Sequence, residues 1–371
     1  MAATAVGRPP HEVAVDGIDV AAFTVPTDAP ESDGTAEWDA TTIVVVEAHG
    51  GGQTGLGYTY GDVSTGTVID SVLRDVVAGR DAMAVGAAWE AMGRACRNLG
   101  RPGVASMAIS AVDIALWDLK ARLLGVALAD LLGRFHARVP VYGSGGFTSY
   151  SNDKLASQLA GWVEQGIPRV KMKVGRDPGA DVERVRAARA AVGPDVELMV
   201  DANGAWSRKE ALRWMDLYAG AYGVSYVEEP VSSEDLEGLR LLRDRGPAGV
   251  NVAAGEYGFE LPYFERMAGC VDIQQADVTR CAGITGFLRV DAVCRARSIP
   301  FSAHCAPAIS AHACCAMETL THLEYFHDHV RIESMLFDGV LSPDHGYLEP
   351  DASRPGLGLE LRRDAAEEYA L

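Results

Sequence analysis

Residues 197–203 read ELMVDAN, residues 225–230 read SYVEEP and residues 251–256 read NVAAGE. Each is a short apolar run that ends in an acid: Asp201, Glu228 and Glu256, at intervals of 27 and 28 residues. One strand plus one crossover helix fills such an interval, so the three acids read as successive strand ends around a closed ring. Three carboxylates brought together without a cation repel one another and are driven toward protonation. Around Mg2+ the same three supply half of an octahedral shell and leave positions for water and a bidentate ligand. Any one of them alone could instead cap the helix that follows it; the threefold repetition favours convergence.

Outward from this stretch the chain keeps alternating strand and helix, the grammar of a parallel sheet. Strands are expected near Val139–Gly143, Arg169–Lys173, Glu197–Asp201, Ser225–Glu228, Val250–Ala254, Val271–Gln275, Pro300–Ala303 and Thr321–Glu324. Amphipathic stretches such as Asp153–Gln165, Asp181–Ala191, Ser207–Ala219 and Gly286–Ser298 lie between them. Eight strands make a closed (β/α) barrel the economical reading. A doubly wound sheet would need a G-x-G-x-x-G turn after its first strand, and none is present. Ahead of the barrel the order is strand, strand, then helices. Thr41–Glu47 (TTIVVVE) is rich in β-branched residues, Gly50, Gly51 and Gly52 mark a hairpin turn, residues 66–99 are helical, and residues 107–124 form a periodic helix stopped by Gly125. Thr24 to Asp39 reads as a polar, turn-rich segment. The expected organisation is an α/β chain: an α+β N-terminal domain over residues 1–125, a barrel over 126–330, and a segment 331–371 that returns to the N-terminal domain.

Other candidates fall at the same strand ends. Lys171 and Lys173 alternate by two, so on one strand both face the barrel mouth, where adjacent ammonium groups are expected to lower each other's pKa toward that of a general base. Asp277 and His304 stand 27 residues apart, the arrangement in which a carboxylate fixes an imidazole's tautomer. Glu324 follows at the end of the last strand. Asn203 and Glu229 are placed to orient ligands, and Ser144 to meet a substrate oxygen. His327-Asp328-His329 reads as a solvated loop; His312, Cys314 and Cys315 read as packing.

The 371 residues carry 51 acidic against 33 basic side chains, a formal charge of -18. This balance argues against nucleic acid and against an anionic membrane surface. A small carboxylate substrate stays compatible, because a divalent cation and local lysines reverse the field within a cleft. Seven cysteines without C-x-x-C spacing suit reduced, buried thiols in a cytoplasmic protein. MAATAVGRPP lacks the apolar core of a signal peptide, and no apolar run approaches ~18 residues.

Taken together, AISAVDIALWDLK, the KMK pair, VDAN, VEEP, AAGE, DVTRCAGITG, FSAH and HLEYF resemble the enolase superfamily, specifically the mandelate racemase subgroup, along nearly the whole chain. The resemblance implies a modified TIM barrel under an α+β capping domain. It implies Mg2+ held by Asp201, Glu228 and Glu256, and Lys173 as base on one face with Lys171 as its neighbour. It also implies an Asp277–His304 dyad on the other face, and Glu324 against the substrate carboxylate. Two positions depart from the pattern. Arg280-Cys281-Ala282-Gly283 stands where relatives often have Lys-x-Gly-Gly, and Tyr257 replaces the asparagine of mandelate racemase, which argues against mandelate. The expected activity is dehydration of a sugar acid to a 2-keto-3-deoxy acid. Racemisation, epimerisation or cycloisomerisation is the alternative, and a non-catalytic metal-binding barrel is the competing class. A homo-oligomer is expected.

Overall fold

A computed structural model describes residues 12–371, so the reading of the first ten residues lies outside the described chain. Strands β1 (Gly17–Ser32), β2 (Glu37–Gly50) and β3 (Gln53–Tyr60) form an antiparallel sheet in that order. The polar segment from Thr24 to Asp39 is therefore not a loop: it is the far half of a long β1–β2 hairpin. Pro26 and Pro30 suggested a turn. Both are accommodated because β1 is an edge strand whose register shifts between Pro26 and Glu31. The helix Val104–Leu124 lies across β3, and Gly125 ends it in the left-handed conformation. The approach is so close that a Cβ on Gly55 or Gly57 would overlap the helix backbone at Ala111, Ala115 and Leu119.

The barrel closes through eight parallel strands: β4 (Val139–Gly145), β5 (Arg169–Lys173), β6 (Glu197–Asp201), β7 (Val224–Glu228), β8 (Asn251–Ala254), β9 (Ile273–Asp277), β10 (Phe301–His304) and β11 (Leu320–Phe326). β11 pairs back onto β4 to seal the ring. Inside, Tyr142, Met199, Tyr226, Ala253 and Ile273 fill an apolar layer that supports the mouth from below. Two expected strands shift by one or two residues, and the shift matters. β9 and β10 end on Asp277 and His304 themselves, paired in register. Glu324 instead sits inside β11, opposite Tyr142. Among the described residues no helix is long and apolar enough to cross a membrane.

His327-Asp328-His329 begins the helix His327–Leu336, with Asp328 and His329 buried, where a solvated loop was expected. Its three polar residues sit in a first turn pressed against the N-terminal sheet, which local composition does not reveal. His312, Cys314 and Cys315 are buried packing residues of the helix Pro307–Cys314 and its end. Beyond residue 336 the chain makes short ladders with β4 and within itself, and its end bonds to β1 through Thr24 and Ala22.

The long helix joins the parts through two buried acids. Asp118 accepts from Leu56 N at 2.7 Å, Leu357 N at 2.5 Å and Arg122 Nε at 2.8 Å. Asp113 accepts from the backbone and hydroxyl of Thr285 at 2.9 and 2.7 Å. Replacing Asp118 with Ala strands two amides and a guanidinium, and a broken buried pair costs about 3–5 kcal/mol. Asp118→Ala should lower the free energy of unfolding by that amount, seen as a lower denaturant midpoint, and expose the segment after residue 336 to protease, as read by chemical unfolding and limited proteolysis.

Candidate active site

Strand register brings the side chains together. Lys173 pairs with Asp201 and Asp201 with Glu228 across β5, β6 and β7. Glu256 lies two residues past β8, beyond Gly255. That glycine has φ +137°, and a Cβ there would collide with the Gln275 carbonyl, so only glycine makes the turn that brings the third acid over the mouth. One oxygen from each of Asp201, Glu228 and Glu256 lies within 4.8 Å of the others, and all three residues are buried. After the strands the chain turns through left-handed backbone at Asn203, Glu229, Ala282, Cys305 and Ala306, a concentration of strain characteristic of functional sites.

Lys171 and Lys173 share a direction, as their spacing requires. Lys171 Nζ lies 2.6 Å from Glu228, 2.9 Å from Glu324 and 3.6 Å from Asp201; Lys173 Nζ lies 2.5 Å from Asp201. The expected lowering of their pKa values does not hold in the metal-free protein. Burial opposes both charges, but Glu228 and Glu324 raise Lys171 well above its ordinary value and Asp201 does the same for Lys173. Carboxylates in direct contact outweigh the second ammonium.

On the opposite side His304 Nδ1 is 2.8 Å from Asp277, and Nε2 faces Glu256 at 3.1 Å and Glu324 at 3.4 Å. Burial works against a charged ring, but Cys305, the two glutamates and Asp277 raise its pKa well above the ordinary value. Glu324 is itself held low: burial is overcome by Lys171, His304 and Lys173. Ser144 donates to Glu324 at 2.5 Å, so its hydroxyl proton is committed to that acid. Asn203 N donates to Asp201 at 2.9 Å. Glu229 is buried and pushed far up by that burial and by Glu256, Asp201 and Glu228.

Around this mouth six acids (Asp201, Glu228, Glu229, Glu256, Asp277 and Glu324) face four cationic groups (Lys171, Lys173, Arg280 and a protonated His304). With all six ionised the shortfall would be two positive charges; burial and the neighbouring carboxylates instead push Glu228 to about 8 and Glu229 far above its ordinary value, so protons stand in for the missing charge. Glu228 Oε1 and Asn203 Oδ1 are also buried without a hydrogen-bond partner. An all-oxygen donor set, an orphaned carboxylate oxygen and crowded carboxylates that hold protons for want of a cation fit a hard divalent ion.

The sequence reading did not single out Cys305, and it noted Arg280 and Tyr257 as departures without giving them a role. Cys305 Sγ lies 3.3 Å from both His304 Nε2 and Glu324 Oε2. Arg280 reaches Glu256 at 3.5 Å and Asp277 at 3.7 Å, under the Tyr257 ring. A cleft of about 450 Å³ opens above Lys173 and His304, roofed from the N-terminal domain by Trp38, Thr41, Thr42, Tyr60 and Asp62. The hairpin tip docks beside it, through Ser32 and Thr148 at 2.6 Å and Arg176 on Ala36 O at 3.2 Å. The loop after Asp277 is held by the same domain: Thr59 donates to Thr279 O, Ser106 to Arg280 O and Trp89 to Ala282 O, each at 2.7 Å.

Comparison with known proteins agrees with this geometry. Residues 17–133 match the mandelate racemase/muconate lactonizing enzyme N-terminal domain, and residues 154–365 match the enolase C-terminal domain-like family. A mandelate racemase/muconate lactonizing enzyme-like protein from Rubrobacter xylanophilus superposes with a TM-score of 0.96 at 67% identity, over 96% of this chain and 100% of the other. The 3,6-anhydro-alpha-L-galactonate cycloisomerase of Streptomyces coelicolor is 34% identical, over 91% of this chain and 93% of its own. L-talarate/galactarate dehydratase from Salmonella typhimurium, solved with Mg and L-lyxarohydroxamate, superposes with a TM-score of 0.88 at 27% identity, over 100% and 96%.

Burial, with Asp201 and Glu324 adding to it against Lys171, lifts Glu228 to about 8 in the metal-free protein. A raised carboxylate pKa means that the proton is held below that value and lost as pH rises through it. Ligation needs the ionised form. Mg2+ affinity should therefore increase from about pH 6 to about pH 8, and binding at neutral pH should release protons. Titration calorimetry in two buffers of different ionisation enthalpy reads that release; a buffer-independent heat would show the acids already ionised.

Proposed function

Because the chain belongs to the mandelate racemase/muconate lactonizing enzyme family, a Mg2+-dependent branch of the enolase superfamily, we propose that this site removes the α proton of a sugar acid and expels its β hydroxyl, giving a 2-keto-3-deoxy acid. The observation that carries the reading is the placement of two proton-transfer groups on opposite sides of one carboxylate trio. Lys173 abuts it at Asp201, and His304 at Glu256.

Asp201, Glu228 and Glu256 would hold the Mg2+, which when bound supplies a Lewis acid for the substrate carboxylate. Glu324, buried and flanked by Lys171 and Ser144, is placed to meet the same carboxylate as negative charge develops on it. Lys173, once deprotonated, takes the α proton, and the C–H electron pair moves toward the carboxylate. As that charge returns to form the C=C bond, the C–O bond at the β carbon breaks, and protonated His304 delivers its proton so that the oxygen leaves as water. The resulting enol tautomerises to the keto acid. Asp277 positions the imidazole through Nδ1 and leaves Nε2 to face the site. Asn203 and Glu229 complete the ring around the trio.

A second reading has its own support in the 34% identical cycloisomerase. An acid whose ring oxygen sits on the β carbon undergoes the same elimination, and the leaving oxygen then stays on the product. Lys173 and His304 would perform the same proton transfers.

The test is a panel of sugar acids with Mg2+, scored by semicarbazide for 2-keto product and by NMR for α-deuterium uptake in D2O. Lys173→Ala and His304→Asn should each lose on the order of 10²–10⁴-fold in turnover, the usual weight of a general acid or base. Glu256→Gln should lose metal affinity and turnover together. Inversion at the α carbon with no keto acid would replace elimination by racemisation. Full activity of Glu256→Gln, or in excess chelator, would refute the metal-assisted reading altogether.

A further inference from the structure

The two ends of the cleft differ in charge. At the barrel end the cations are Lys173, Arg280 and His304, each paired with carboxylates. At the roof the lining is Trp38, Thr41, Thr42 and Tyr60 with three acids, Asp33, Asp62 and Asp328, and without a lysine or arginine. Nearby arginines are turned elsewhere. Arg331 is held by Asp328 at 2.8 Å and the Pro26 carbonyl at 2.6 Å. Arg176 is held by Glu37 at 2.6 Å. His329, stacked on Tyr60 with ring centroids 3.5 Å apart, stays neutral because burial pulls its pKa down to about 3. Asp62 accepts from Ser64 N at 2.8 Å and has no cation within ion-pair distance among the described residues.

From this charge map we infer that the substrate is a monocarboxylate with an uncharged polyhydroxyl tail, and that diacids of the same chain length are poor ligands. The inference rests on the reading above, in which the reacting carboxylate lies at the barrel end. A second carboxylate at the roof would face Asp62 without a counter-ion. The hydroxyl protons of Thr41 and Tyr60 are already given to Asp328 and His329 O, so the roof offers acceptors, which a substrate hydroxyl can donate to and a carboxylate cannot. Trp38 and Tyr60 add apolar faces for the C–H edges of such a tail. Similarity alone leaves the choice open, because one relative is named for a galactonate and another for talarate and galactarate.

The experiment pairs aldonates with aldarates of equal length and configuration, in the presence of Mg2+. Two readouts are taken: kcat/KM for keto-acid formation, and the rise in Tm that each acid produces, which reports binding even without turnover. The expected result is a preference for the monoacid of at least about threefold, the scale of a charge contact screened by solvent, with the larger Tm rise for the same acid. Asp62→Lys should narrow the gap by improving the diacids. Equal or reversed preference in both readouts overturns the inference, and leaves the elimination chemistry standing if keto acid still forms. An Asp62→Lys variant whose diacid response is unchanged overturns it as well. Should no acid of either class exchange its α proton, the reaction reading fails, while the order of the Tm shifts still decides the charge of the tail.

Discussion

The buried excess of negative charge at the barrel mouth is the constraint on which the other features depend. Carboxylates gathered within a few ångströms in a dry site are tolerable only with compensation. The fold provides it on two sides: Lys171 and Lys173 rise from β5 into the gap beside Asp201 and Glu228, while His304 and Arg280 close it beside Glu256. What the cationic side chains leave uncompensated is met by protons on Glu228 and Glu229, which a divalent cation would displace. The apolar layer of Tyr142, Met199 and Tyr226 beneath keeps water from screening the arrangement from below, so these charges interact at full strength.

The N-terminal domain is part of the same construction. It roofs the cleft and also ties down the loop that leaves Asp277. Thr59, Ser106 and Trp89 hold three carbonyls of that loop; Ser110 accepts from Gly283 N at 2.9 Å and Asp113 fixes Thr285. Ala282 sits at φ +65° within it, a conformation an isolated alanine avoids. The dyad's geometry is thus set by a domain to which it does not belong. This accounts for Asp113 on the long helix, which holds Thr285 and takes no part in the chemistry, while Asp118 on the same helix ties β3 to the C-terminal segment through Leu56 and Leu357.

Strand-end groups were legible because a barrel repeats: Asp201 and Glu228, and again Asp277 and His304, stand 27 residues apart, and register makes neighbours of each pair. Glu256 belongs to the series only through the Gly255 turn, which spacing alone does not distinguish from a strand end. The β1–β2 hairpin was misread because prolines signal turns unless the strand is known to lie at an edge, and edge position is a property of the assembled sheet. The lysine pKa values were misread for a similar reason. Sequence shows two lysines side by side, whereas the carboxylates that reverse the shift come from β6, β7 and β11. Cys305, Arg280 and the roof residues reach the cleft by tertiary placement, and no periodicity in the chain announces them.

The contacts of Lys173 carry one more consequence for the proposed chemistry. A base must be free of its proton, yet in the metal-free protein Asp201 holds this ammonium at 2.5 Å and stabilises its charge. The other oxygen of Asp201 accepts from Asn203 N, so the carboxylate has one oxygen to contest between the lysine and a cation. A divalent ion held by Asp201, Glu228 and Glu256 would supply positive charge beside Lys173, which would lower the proton affinity of the amine. Lys171 next to it then acts in the direction first expected of the pair, because its repulsion is no longer outweighed. On the proposed chemistry, occupancy of the carboxylate trio and release of the base would be a single electrostatic event. A strong base would then not face a substrate before the charge that stabilises the product of its action is in place.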